Sequence, residues 1–219
     1  MKVAVVIPTF NEKKNLEKLL PNVQWIFPEG NIFVIDDGSK DGTVEYARSQ
    51  GAIVPYTFMR RGLCKSYLEG LAMAAYESDC DVAIHMDGDH PVGYVPKFVG
   101  KLLKENLEMV VGYETDTRTT TSKGASWIAK KIIGKELHQP TCGFVAFRTD
   151  LLRKIPLRKF NSVRDFYHIE ILYMAKKCGA KIGELEFTGH SHGNSSLTRI
   201  GVWLMDMAIF EIRRWLHVI

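Results

Sequence analysis

Residues Val82–Pro91 read VAIHMDGDHP. Val82, Ala83, Ile84 and Met86 make the short apolar run expected of a strand covered on both faces. His85, on the face opposite Ile84 and Met86, reads as a core histidine. The run ends in two aspartates, Asp87 and Asp89, with Gly88 between them allowing close backbone approach. In an open α/β sheet, ligands bind beyond the carboxyl ends of strands. Two acids at i, i+2 across a turn can face one hard cation, Mg²⁺ or Mn²⁺, that holds a diphosphate. A D-x-D taken alone equally describes a turn with solvated aspartates, so the flanking sequence has to decide.

Upstream, strand and helix patterns alternate. Val3–Ile7 is a strand closed by Pro8, and Asn11 and Glu12 open a helix through about Leu20. Asn31–Ile35 is a second strand, followed by the turn residues Asp36-Asp37-Gly38-Ser39 and Asp41-Gly42. Asp41 or Thr43 is placed to cap a helix that runs to Ser49, and Ile53–Tyr56 reads as a short third strand. Gly62–Ser78 has helical periodicity through Leu63, Tyr67, Leu68, Leu71 and Ala75. Downstream, Val95–Leu107 is an amphipathic helix and Leu107–Gly112 another strand. This alternation predicts an α/β fold with a mostly parallel, doubly wound sheet flanked by helices.

The second half reads differently. Tyr113–Ser122 is polar and Thr-rich without a period, a loop, and a basic helix spans about Lys123–Lys135. Cys142–Phe147 is a strand, Asp150–Lys154 a short helix, Phe166–Cys178 a strong helix and Lys181–Phe187 a last strand. Gly189–Thr198 is a Gly/Ser/His loop before a final helix, Ile200–Ile219. The expected division is a main α/β domain over 1–199 and an amphipathic helix over 200–219.

The 219 residues fit one large α/β domain or a domain with a small extension, and 46% hydrophobic content can fill its core. A net charge of +4 allows anionic substrates or an anionic membrane surface but does not argue for nucleic acid, so no nucleic-acid partner is expected. Cys64, Cys80, Cys142 and Cys178 are widely spaced, without C-x-x-C, and read as reduced buried thiols. The amino terminus reads as a strand, not a signal peptide. No stretch reaches the roughly 20 apolar residues of a spanning helix. The expected setting is cytoplasmic, soluble or peripheral on the cytoplasmic membrane face.

Three stretches converge on the acidic pair. PTFNE (Pro8–Glu12) and IDDGSKDGT (Ile35–Thr43) follow the first two strands, and RRGLCKSYLEG (Arg60–Gly70) leads into a helix. A parallel sheet brings such ends to one edge. That edge then offers carboxylates for ribose and base, a helix amino terminus and basic residues such as Lys65 for phosphate, and a metal pair. Neither a Walker-type loop nor a G-x-G-x-x-G is present.

PTFNE, DDGSKDGT, RGLCKSYLEG and MDGD, in this order and spacing, resemble family 2 glycosyltransferases of the GT-A fold. Within that family they are most similar to the dolichyl-phosphate or polyprenyl-phosphate mannose and glucose synthases. The resemblance covers about the first 115 residues strongly, and continues through TCGFVAFR (Thr141–Arg148), Tyr167–Phe187 and the GNSS loop. It implies a metal-dependent, inverting transfer of a hexose from a nucleoside diphosphate sugar, GDP-mannose or UDP-glucose, to a polyprenyl phosphate. On the donor side it implies Pro8, Thr9, Phe10, Glu12, Asp36, Asp37, Lys65, Asp87 and Gly88. Asp87, Asp89 and His90 become the metal set, for Mg²⁺ or Mn²⁺. Arg118, Lys123, Lys130, Lys131, His190 and Ser195 are placed against donor or acceptor phosphate, and Glu170 near the acceptor. Asp89, Glu170 and Arg118 are the catalytic candidates.

The departures fall around the metal and the acceptor. The family's MDADLQHPP is shortened to MDGDHP, which removes a metal-side Gln and brings up His90. Its D-x-T-S-G-F becomes Gln139–Phe144 without the aspartate, and the Arg and Lys of its R-x-x-G-x-S-K loop become His190 and Ser196. Two other functions stay open at this point. One is the same donor chemistry with a glycan or small-metabolite hydroxyl as acceptor, which requires a general base. The other is a nucleotide-sugar-binding protein without turnover. In the last helix Trp203, Leu204, Met207, Phe210 and Trp215 oppose Asp206, Arg213, Arg214 and His217. Such a face suits a membrane interface, the domain itself or a second subunit. Oligomeric state is left open.

Overall fold

A computed structural model describes residues 1–55, 62–114, 127, 130–134, 137–162, 166–188 and 200–216, with 200–203 as backbone only. Its six-stranded sheet comprises β1 (Val3–Thr9), β2 (Asn31–Asp36), β3 (Val82–His85), β4 (Met109–Tyr113), β5 (Val145–Arg148) and β6 (Ile182–Glu186), in the order β2-β1-β3-β5-β4-β6. The helices are α1 (Lys13–Ile26), α2 (Thr43–Ser49), α3 (Leu63–Tyr76), α4 (Val95–Lys104), α5 (Thr149–Lys154), α6 (Tyr167–Lys177) and α7 (Ile200–Trp215). This is the mostly parallel α/β sheet flanked by helices that the alternating pattern predicts.

The sheet centre is apolar on both faces because both are covered. All seven residues of β1 and all four of β3 are buried. Helix α3 crosses β1 and β2 so closely that a Cβ on Gly70 would lie 2.2 Å from Val6 Cγ1 and 2.9 Å from Ile35 Cγ1. The glycine in RGLCKSYLEG is therefore a packing requirement.

β5 is the antiparallel member among the described strands, paired with β3 on one side and β4 on the other. Its start, Val145, lies opposite His85, the end of β3. The residues leading into β5 are thus delivered to the edge where the parallel strands finish.

Three local readings need correction. Helix α1 does not stop at Leu20 but continues through Pro21 to Ile26. Pro21 removes one backbone donor, yet Leu16, Leu19, Leu20 and Val23 are buried on one face, and that burial outweighs the lost bond. Ile53–Tyr56 is not a strand as far as it is described: only Ile53 pairs, in an isolated bridge to Phe33. The strand read over Cys142–Phe147 begins at Val145. Most of the Thr-rich stretch and the GNSS loop lies outside the described residues.

Gly70→Ala should destabilise the fold by about 1–3 kcal/mol, the usual cost of overpacking a filled core. Thermal denaturation reads this directly as a lowered midpoint.

Candidate active site

The parallel register places Thr9 beside Asp36 and Val6 beside His85. PTFNE, DDGS and DGD therefore emerge together at one edge. The first two loops are laced to each other. Asn11, at φ 57, donates its N–H to Ser39 Oγ (2.7 Å), and Lys40 N–H returns a bond to Asn11 Oδ1 (2.9 Å). Glu12 N–H reaches Thr43 Oγ1 (3.0 Å) and Lys13 N–H reaches Asp41 Oδ2 (3.1 Å). Asp41 Oδ1 also takes the Thr43 N–H at the first residue of α2 (3.1 Å).

The donor-side candidates divide by what their polar atoms already do. Asp36 is buried, and its Oδ2 accepts the N–H groups of Gly38 and Ser39, both at 2.9 Å. Its Oδ1 has no hydrogen-bond partner among the described residues. Asp37 Oδ1 accepts Gly62 N–H at 2.9 Å, which ties the second loop to the start of α3. Pro8 and Thr9 are buried and Phe10 is exposed. Thr9 Oγ1, like Asp36 Oδ1, is buried and without a partner among the described residues. Lys65 is exposed in the first turn of α3.

Glu12 faces the acidic pair. Partial burial is the main cause that raises its carboxyl pKa, the Asn15 amide opposes it, and the charges of Asp89, Asp87 and Asp41 raise it further. Ligand atoms of Asp87, Asp89 and His90 lie within 4.8 Å of one another. Two carboxylates and one imidazole suit a small divalent cation, the nitrogen favouring Mn²⁺ over Mg²⁺. His90 Nδ1 accepts the Asp87 N–H at 2.7 Å. That lone pair cannot serve a metal at the same time. The two aspartates are therefore the oxygen donors of the set, and His90 joins through Nδ1 only by releasing the Asp87 backbone. Its buried ring stacks on Phe144 (centroids 4.9 Å) and meets Phe187 edge-on.

Two residues not named among the site candidates pack against and behind Asp87. The approach to β5 runs directly against Asp87: a Cβ on Gly143 would sit 2.9 Å from Asp87 Oδ2. Gly143 is fixed from behind by His85, whose Nδ1 bonds the Gly143 carbonyl. Burial drives the His85 pKa down to about 4, so the ring is neutral and Nδ1–H is the donor. The core histidine thus braces the segment that packs on the acidic pair. Neighbouring Cys142 is buried, which pushes its thiol pKa up to about 12 and leaves it inert. No sequence signal links His85 to Gly143, because the bond joins residues 58 positions apart.

Glu170 lies elsewhere in a closed environment. It is 1% exposed, accepts Ser162 Oγ–H at 2.6 Å and pairs with Arg213 of α7 at 3.2 Å. Burial raises its pKa, and Ser162 and Arg213 pull it back. Lys130 and Lys131 are exposed on a short helical run, and Lys131 Nζ rests 3.8 Å above the Trp127 ring. Arg118, Lys123, His190 and Ser195 lie outside the described residues.

The family model described as "Glycosyl transferase family 2" matches residues 4–155, more than half of the chain. The chain belongs to that family and is a glycosyltransferase. Undecaprenyl-phosphate mannosyltransferase of Micrococcus luteus is 26% identical over 98% of this chain and 94% of its own length. Dolichol-phosphate mannosyltransferase of Pyrococcus furiosus is 28% identical over 98% of this chain, which spans 64% of that longer protein. In fold, the chain is similar to glucosyl-3-phosphoglycerate synthase of Mycobacterium tuberculosis solved with Mn²⁺ and UDP-glucose. There the TM-score is 0.72 at 21% identity, covering 97% of this chain and 78% of the other.

Gly143→Ala should drive the Asp87 carboxylate from its place. Mn²⁺-dependent nucleotide binding is then expected to weaken about tenfold or more, the range for residues that orient metal ligands. Calorimetric titration of the variant, with circular dichroism to verify its fold, measures this.

Proposed function

We propose that this enzyme transfers a hexose, with inversion, from a nucleoside diphosphate sugar to a polyprenyl phosphate. The observation that carries the donor half is the convergence of three parallel strand ends on Asp87 and Asp89, beside Glu12 and the laced loops. The names of the relatives, which specify undecaprenyl-phosphate and dolichol-phosphate mannosyl transfer, support a polyprenyl phosphate acceptor and favour mannose. UDP-glucose in the structural neighbour supports a nucleoside diphosphate donor and keeps glucose as the alternative hexose.

In this reading Asp87 and Asp89 hold a divalent cation, and Gly143 and His85 hold Asp87. When bound, the cation supplies positive charge against the diphosphate as it leaves. Thr9, Asp36 and Asp37 lie at the nucleoside end, with Asp36 holding its turn through the N–H groups of Gly38 and Ser39. An oxygen of the acceptor phosphate forms the new bond to the anomeric carbon while the bond to the donor diphosphate breaks. The nucleoside diphosphate departs with that electron pair. Such a nucleophile is already anionic near neutral pH, so positioning is the main demand on the protein.

The placement of Glu170 removes one general-base candidate that a hydroxyl acceptor would need. A hydroxyl nucleophile needs a general base within hydrogen-bond reach, whereas Glu170 is buried and occupied by Ser162 and Arg213. We assign it to anchoring α7.

Asp89→Asn preserves shape and removes charge. Transfer of labelled hexose from donor to lipid extract should fall about 10²–10³-fold with the unfolding midpoint unchanged, the scale for losing an electrostatic contact to developing charge. Wild-type transfer at background level would remove the enzymatic reading. Glu170→Gln should lower the midpoint while transfer stays within about tenfold of wild type. Loss of about 10²–10⁴ at an unchanged midpoint would make Glu170 a general base.

A further inference from the structure

Helix α7 is attached by its polar side. Arg213 pairs with Glu170 and donates to the Lys159 carbonyl, and Asp206 is buried. Phe210 alone among the described apolar residues of the helix is fully inside, seated 5.4 Å from Phe166 and edge-on to Tyr173 at 5.2 Å. Apart from the half-exposed Glu211–Arg214 pair, what the described residues turn outward is apolar. The exposed positions from 204 to 216 are Leu204, Met205, Ala208, Ile209, Ile212, Trp215 and Leu216, with Trp215 79% exposed. Spacings of three and four put them on one stripe. A helix that merely closed a core would turn this stripe inward.

We propose that this stripe is a docking surface for a lipid bilayer, on which α7 lies flat. The inference rests on the polyprenyl-phosphate reading, because a lipid acceptor has to be met at a bilayer. No helix among the described residues is long and apolar enough to cross a membrane. A second copy of the chain is a poorer fit. Sixteen residues of helix extend about 24 Å and are about 10 Å wide, far less than the roughly 800 Å² per partner of a standard interface. Charge fits an apolar mode of attachment: within Ile200–Trp215 the two acids, Asp206 and Glu211, cancel the two arginines. Arg214 is moreover paired with Glu211. Because Arg213 and Phe210 clamp the helix to the domain, bilayer contact through α7 also fixes the orientation of the domain.

The test floats the full chain with vesicles of phosphatidylcholine alone, and of phosphatidylcholine mixed with phosphatidylglycerol. The comparison is Ile209→Glu/Ile212→Glu, whose exposed positions leave the fold intact by thermal denaturation. Wild type should float with both vesicles and in high salt, and the variant should lose more than about tenfold of its binding, each buried isoleucine being worth about that factor. Both proteins should use a water-soluble short-chain polyprenyl phosphate equally, while the variant fails on a long-chain one held in vesicles. Flotation without transfer to either acceptor supports the docking surface and sinks the acceptor reading. Three outcomes overturn the proposal: no flotation of wild type, flotation only with the anionic lipid, or a wild-type dimer that the variant turns into monomer.

Discussion

The parallel register of β1, β2 and β3 is the constraint on which the rest depends. Thr9 stands beside Asp36 and Val6 beside His85, so three loops distant in sequence are forced to leave the sheet at one edge. With a strand rise of about 3.3 Å, a slip of one residue in either pairing would carry a loop out of reach of its neighbours and turn its side chains over. The buried, two-sided apolar character of these strands prevents that slip. Close contact of α3 with β1 through Gly70 then fixes the layer above, and β5 returns antiparallel to bring Gly143 against Asp87. Asp87 is thus held by the sheet on one side and by a packed loop on the other.

The local arrangement of this edge was legible because each part has a local cause. A short apolar run ending in Asp-Gly-Asp, a Gly-Ser turn after two acids and an Asn-Glu helix entry can each be read within ten residues. Their shared edge followed from the handedness and direction of parallel sheets. The direction of β5 was not legible, since a four-residue run of Val-Ala-Phe-Arg carries no orientation. Pro21 misled for a related reason: its backbone cost is visible in the sequence, but the burial of Leu16, Leu20 and Val23 that offsets it is tertiary.

The acceptor side was harder to read. Glu170 stands on a helix where the family pattern places an acceptor-side acid. Its partner Arg213 is 43 residues away, on a helix whose packing no local signal reports. A carboxylate in the right motif position was therefore found bound into a structural pair. The same pair determines which face of α7 meets solvent. An amphipathic pattern specifies that a helix has two faces, while only the partners of its polar face decide which one turns outward. His85 illustrates the complementary point: a core histidine that reads as inert becomes a brace for Asp87 once β5 brings Gly143 to it.

The central claim is that Asp87 and Asp89 form a metal-dependent nucleoside diphosphate site, and ligand-linked stability of the wild-type protein tests it most directly. Unfolding is followed with GDP, UDP and their hexose conjugates, each with and without Mn²⁺. A ligand at about 100 times its dissociation constant stabilises the folded state by about 2.7 kcal/mol. The account predicts stabilisation of that size by one nucleotide family, present with Mn²⁺ and lost on chelation. Stabilisation that is indifferent to Mn²⁺, or none with any nucleotide, would contradict it.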